Sequence, residues 1–148
     1  MTPPKVLPPH YFFLTLITMS ALGYFSEQSL LPGMWYLIGI APITVGLILA
    51  GIAVVQFSRA ETNIIPLTES TTLVTSGMFA FTRNPMYVGM VAVLVGTALL
   101  LNDLWPWFVI VPFWFVIRLA FIRHEETLME ETFGEQYVVY KANVRRWL

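Results

Sequence analysis

Arginine, asparagine and proline stand together at residues 83–85, directly before an apolar run. That trio can bind an anion. Asn84 is a good N-cap and Pro85 suits a first helical turn, whose free amides carry the positive end of the helix dipole. Arg83 adds a full charge beside them, and together they suit a carboxylate or a phosphate. The plainer alternative is a capped helix with a snorkelling arginine. A second charged group, Glu125-Glu126, follows another apolar run. These two carboxylates are the better ligand candidates, whereas Glu130, Glu131 and Glu135 read as a solvated face. Arg118 precedes Glu125 by seven residues. On an ideal helix the two share a face, about 10 Å apart along the axis. Charge facing a membrane bundle is costly, so it marks a functional candidate.

The elements that must carry these residues read as membrane helices. The chain has 148 residues, 57% hydrophobic and only 11% charged. A soluble domain of that size cannot bury so much apolar surface. A spanning helix needs about 20 apolar residues. Residues 34–57 meet that without a charge, and 104–122 nearly do, with Arg118 near the end. Residues 86–101 are shorter and 6–26 make a weaker first span. That first span is expected to be retained, because no basic start or small-residue cleavage site precedes it. Asn102-Asp103 predicts a tight turn and an antiparallel hairpin between the last two spans. Gly46 and Ala50 on one span, and Gly89, Ala92 and Gly96 on the next, predict close helix contacts. The whole chain, 1–148, is expected to form a single integral-membrane domain.

Four spans place both termini on one side. Lys5, Arg59, Arg83, Arg118, Arg123, Lys141, Arg145 and Arg146, all eight basic residues, then share that side. The opposite loops, 27–33 and 102–103, carry Glu27 and Asp103 but no Lys or Arg. The positive-inside rule makes the basic side cytosolic.

Two cytosolic segments are too rich for packing alone. The 58–85 segment exceeds the usual loop length, and it interleaves apolar residues with hydroxyls in TNIIP and TTLVTSGMFAF. It is expected to fold back on the membrane surface. In the tail, Leu128, Met129, Phe133, Tyr137, Tyr140 and Val144 recur at helical spacing, with a break at Gly134. An amphipathic helix over the cytosolic mouth is expected.

Other chemistries are excluded. A net charge of −1 argues against nucleic acid. With no cysteine there is no disulfide, thiol catalysis or thiolate metal site. His10 and His124 lie too far apart in sequence to suggest a metal cluster. A Gly-rich phosphate loop and a Ser-His-Asp arrangement are both missing.

Three blocks together resemble the isoprenylcysteine carboxyl methyltransferase family and its phospholipid-methyltransferase relatives. They are LVTSGMFAFTRNPMYVG (73–89), Glu125-Glu126, and FGEQYVVYKANVRRW (133–147). The resemblance spans roughly 57–147 and implies an all-α, polytopic membrane enzyme with S-adenosylmethionine as methyl donor and S-adenosylhomocysteine as product. It places cofactor contacts on Thr71, Thr72, Leu73, Val74, Phe79, Asn84, Pro85, Met86, Tyr87 and Glu125. Its phospholipid relatives add Glu126. Arg83 and the neighbouring amides then suit the cofactor carboxylate, and Glu125 or Glu126 its ammonium or ribose. Phe79, Tyr87 and Leu73 suit the adenine. The family's substrate-side arginine falls on Phe121, so Arg118 or Arg123 is expected to substitute, with Arg118 and Glu126 as the catalytic candidates. The implied partner is a lipophilic acceptor entering from the lipid, with neither metal nor nucleic acid required. The rivals are an NADPH-dependent reductase of the steroid-reductase type and a non-enzymatic membrane subunit.

Overall fold

The computed structural model describes residues 6–26, 29–63 and 70–148. Lys5, Glu27 and residues 64–66 of the TNIIP segment lie outside the described residues. The described chain is helical: α1 (Pro8–Phe25), α2 (Ile40–Arg59), α3 (Pro85–Leu101), α4 (Trp105–Val116), α5 (Arg123–Phe133) and α6 (Glu135–Asn143). Short 3₁₀ turns at Trp35–Gly39 and Gly77–Ala80 precede α2 and α3. A π-helical segment, Ile117–Ile122, joins α4 to α5 without a break, so Trp105–Phe133 runs continuously. Trp35–Arg59 and Trp105–Phe133 are long and apolar enough to cross a membrane, and α3 is a shorter apolar helix.

The apolar composition of α2 and α3 does not by itself say how they meet; their glycines do. A Cβ on Gly46 would stand 2.5 Å from the Gly89 carbonyl oxygen, and one on Gly89 would stand 2.6 Å from that of Gly46. Gly39 and Gly96 approach in the same way. The partners are spaced seven residues apart on each helix, so two turns of backbone lie in direct contact. Ala50 also packs against Gly89, as its small size suggested. Gly39 is a contact that the small-residue pattern had not singled out.

The other face of α3 meets α1 and α4. Met19, Leu94, Ala98, Ile110, Phe113, Ile117, Phe121 and Ile122 form one buried cluster with Tyr87 at its edge. Outward-facing side chains are just as apolar: Phe13, Leu14, Ile17, Leu47 and Ile48 are all more than half exposed. Hydrocarbon, not water, is the solvent that fits such a surface.

Turn chemistry closes one end of the bundle. Asn102 ends α3 in the left-handed region, with φ +54°. Its side-chain oxygen accepts from Leu31 N–H at 2.7 Å, and its NH₂ donates to Ser29 Oγ at 2.8 Å and Leu31 O at 3.0 Å. Asp103 Oδ1 accepts from Trp105 N–H at 3.0 Å, at the start of α4. The Ser26 hydroxyl, and then that N–H, hold the Asp103 carboxyl below its usual range. This is the tight turn expected from Asn102-Asp103.

At the other end the tail forms two short helices. Gly134, at φ +53°, breaks them where the sequence placed a break. Tyr137 and Tyr140 of α6 are buried.

Candidate functional site

The site lies where the start of α3, the start of α5, α6 and residues 70–79 converge. Each arrives there for a local reason. Gln56, near the end of α2, donates to Ser76 O at 3.1 Å and accepts from Met78 N–H at 3.2 Å. This pins the 3₁₀ turn to α2. Phe79 then packs edge-on against Phe57, with ring centroids 4.9 Å apart. The Tyr140 hydroxyl donates to Phe79 O at 2.7 Å, which ties α6 to the same turn.

The mouth of α3 is tied to the last residues of the chain. Arg83 N–H donates to Arg145 O at 2.9 Å, and an isolated parallel bridge joins Thr82 to Arg145. The Asn84 side chain donates to Arg146 O at 2.8 Å, and the Thr82 hydroxyl reaches the same oxygen at 3.3 Å. Asn84 does occupy the N-cap position of α3, but its side chain makes no capping bond. In place of the expected cap the side chain makes a tether, its NH₂ donating to a carbonyl 62 positions away.

This strap carries Arg146 into the site. Arg146 Nε and Nη2 grip Glu126 Oε1 and Oε2 at 2.9 and 2.5 Å. Arg83 Nη2 lies 3.2 Å from Glu126 Oε1. The Glu126 and Arg83 side chains are only 8% and 9% exposed. Two cations thus share one buried anion. The bond to Glu126 holds the Arg146 guanidinium above its ordinary pKa. Arg83 Nε and Nη1 are buried without a partner among the described residues. Buried donors normally find partners, and a charged one left alone is costly.

Glu125 faces elsewhere. Its Oε1 accepts from the Tyr87 hydroxyl at 2.7 Å. Tyr137 stands beside the Arg83–Glu126 pair. Burial, and next the Glu126 charge, push its phenol up to about 12, so it stays protonated at neutral pH. Burial likewise raises Tyr140.

A cavity of about 320 Å³ opens among these groups, at the small end of ligand-binding clefts. Thr72, Leu73, Val74, Phe79, Arg83, Asn84, Pro85, Met86, Tyr87, Glu125 and Glu126 all line it. Thr71 does not; its N–H and hydroxyl go to Thr62 Oγ1 and Glu61 O, holding the segment in shape. Arg118 does not line the cavity either. Its guanidinium lies over the Trp114 ring, 4.9 Å from the centroid, and Trp114 stacks on Trp147. The shared-face reading of Arg118 and Glu125 assumed an ideal α-helix, whereas Arg118 lies inside the π segment Ile117–Ile122, where the spacing is wider.

The phospholipid methyltransferase family pattern matches residues 34–136. The chain belongs to this family. It is 32% identical to protein-S-isoprenylcysteine O-methyltransferase B of Arabidopsis thaliana, in an alignment covering 94% of this chain and 73% of the relative. Protein-S-isoprenylcysteine O-methyltransferase A of the same plant is 30% identical over the same shares. An uncharacterized protein of Haemophilus influenzae is 38% identical over 63 residues, which is 43% of this chain and 100% of that protein. Membership and the apolar helices together make this a membrane protein of a methyltransferase family. The match includes Arg83, Glu125 and Glu126 but stops before Tyr137, Tyr140 and Arg146.

Sequence reasoning also passed over Leu7, Pro8 and Pro9 at the start of α1, and Met90, one turn into α3, which all line the cavity. Met90 was accessible from periodicity, lying three residues after Tyr87. Leu7 to Pro9 carry no such signal.

Proposed function

We propose that this chain is a multi-pass membrane methyltransferase that takes its methyl group from S-adenosylmethionine and its acceptor from the bilayer. The observation that carries the reading is Arg83. In a chain of this family, a buried guanidinium, with the Tyr137 hydroxyl against it, lines a ligand-sized cavity, and its Nε and Nη1 have no hydrogen-bond partner among the described residues. A carboxylate is the group that answers them.

The other linings fit the rest of that cofactor. Glu125 would take the ammonium, with the Tyr87 hydroxyl orienting its carboxylate. Phe79, Leu73 and Met90 would form the apolar wall for the adenine. When bound, S-adenosylmethionine supplies an electrophilic methyl group on a sulfonium. The chain's own task is to bind, align and keep water out, because alignment supplies most of the rate of an in-line transfer. Glu126, held by two arginines, is assigned to positioning rather than proton transfer. No role at the acceptor is assigned to Arg118.

We read the fold as one domain of four crossings: α1, Trp35–Arg59, α3 and the apolar part of Trp105–Phe133. Arg59, Arg83 and Arg146 then lie at the cytosolic end, with α5 and α6 over the mouth and both termini cytosolic. The acceptor is isoprenylcysteine-carboxylate-like or lipid-like, in keeping with the names of the plant relatives.

Calorimetry in lipid nanodiscs tests the cofactor. S-adenosylhomocysteine should bind and NADPH should not. Binding of NADPH alone would instead favour a reductase, and binding of neither a non-enzymatic subunit.

A further inference from the structure

We infer that Arg146 is a positioning residue: its grip on Glu126 leaves Arg83 with two nitrogens free to hold the cofactor's carboxylate. The inference rests on the cofactor reading above and deepens it.

The geometry runs as a relay of three groups. Arg146 occupies both oxygens of Glu126, through Nε at 2.9 Å and Nη2 at 2.5 Å. Arg83 reaches only Oε1, through Nη2, at 3.2 Å. A lone arginine facing a buried carboxylate would take it with two parallel N–H bonds. Here that fork-on-fork arrangement is already filled by Arg146. Arg83 is therefore held off at a single contact, and Nε and Nη1 remain buried and unpaired among the described residues. Glu125, the other carboxylate of the cavity wall, is bonded to Tyr87 and not to Arg83, so Arg83 has a single anionic contact.

The strap fixes this arrangement. The Arg146 carbonyl accepts from Asn84, and Arg145 O accepts from the Arg83 backbone. Trp147 stacks on Trp114 at 5.8 Å. Arg146 is thus anchored on both sides, 20 positions from the carboxylate it grips and beyond the part of the chain that the family pattern matches. Without Arg146, Arg83 turns its fork onto Glu126 and withdraws from the cavity.

The test uses two probes in nanodiscs. S-adenosylhomocysteine carries the amino-acid carboxylate, and 5′-methylthioadenosine lacks the whole amino-acid end. Arg146→Gln should weaken S-adenosylhomocysteine about tenfold, the scale of one charge-assisted contact. It should leave 5′-methylthioadenosine within about twofold. Arg146→Lys keeps the charge with a single contact and should fall between Gln and wild type. In an Arg83→Ala background, Arg146→Gln should add nothing to the loss. Equal weakening of both probes, no weakening of either, or additive losses in the double variant would each overturn the relay. Failure of the wild type to bind S-adenosylhomocysteine would overturn the cofactor reading and the relay with it. A wild type that binds, with unselective variants, removes the relay alone.

Discussion

The two ends of this helical bundle are tied by the same kind of bond and come to opposite outcomes. At one, Asn102 reaches 71 positions back to Leu31. At the other, Asn84 reaches 62 positions forward to Arg146. Both are asparagines at helix termini whose amides are captured by distant backbone. The Asn102 end holds no Lys or Arg from 26 to 39 or from 100 to 106. Its amide is consumed by Ser29 and Leu31, and the end simply closes. The Asn84 end brings two arginines to one buried glutamate. Arg146 fills both oxygens of that glutamate, and two Arg83 nitrogens are left buried without a partner among the described residues. Each end keeps a buried polar atom without a partner among the described residues, Asp103 Oδ2 at one and Arg83 Nε and Nη1 at the other, but only the Arg83 atoms belong to a residue that lines the cavity.

The largest effect that can break this comparison comes from removing the strap. Truncation after Glu131 deletes Tyr137, Tyr140 and Arg146 while sparing the apolar helices. Binding of S-adenosylhomocysteine should fall by more than about 100-fold, because several charged and buried contacts go together. The truncated protein should still be recovered in the membrane fraction, since no apolar span is touched. Unchanged affinity would mean that the tail only decorates a site built from α3 and α5.

A narrower cut is made at Arg83. Arg83→Ala should weaken S-adenosylmethionine by about 1.5–3 kcal/mol, one to two decades. Decarboxylated S-adenosylmethionine should bind the wild type weakly and be nearly indifferent to the change. Arg83→Lys should restore part of the loss, because a point charge cannot supply a planar pair of donors. Equal weakening of both ligands would make Arg83 a fold-supporting residue like Asn102, and the contrast between the ends would disappear.

Much of this was legible in the chain, and the parts that were not have common causes. The apolar runs, the Asn102-Asp103 turn and the Gly134 break are local properties, and the structure keeps them. Of the 72–87 lining residues, Arg83, Asn84 and Pro85 were reached from residue type and the others through motif resemblance, and proximity in sequence carried most of them to one wall. Arg146 was counted as a basic residue and as part of the 133–147 block but was given no role, because a pairing with Glu126 that closes through a returning helix leaves no periodic trace. Arg118 was misplaced for a different reason. Helical spacing assumes 3.6 residues per turn, and the π segment breaks that assumption between Arg118 and Glu125. Asn84 was read by residue type as a cap, but its side-chain oxygen makes no capping bond and its NH₂ donates to Arg146 O.

The smallest expected effect on binding tests the closed end. Asn102→Ala removes three side-chain bonds and forces a Cβ-bearing residue without a polar side chain to hold φ +54°. The left-handed backbone alone costs about 1–2 kcal/mol, and the lost hydrogen bonds add about 0.5–1.5 kcal/mol each. Thermal unfolding in detergent should therefore show a clearly less stable protein. Asn102→Gly should recover the backbone share but not the amide share, since glycine adopts that φ freely. Affinity for S-adenosylhomocysteine should stay within about twofold of wild type in both variants, as expected of distant, independent sites. A tenfold loss of affinity in the glycine variant would show that the ends are coupled through α3. The closed end would then be part of what holds the cavity open, and the unpaired donors of Arg83 would no longer suffice to explain why the Asn84 end, and not the other, forms the candidate site.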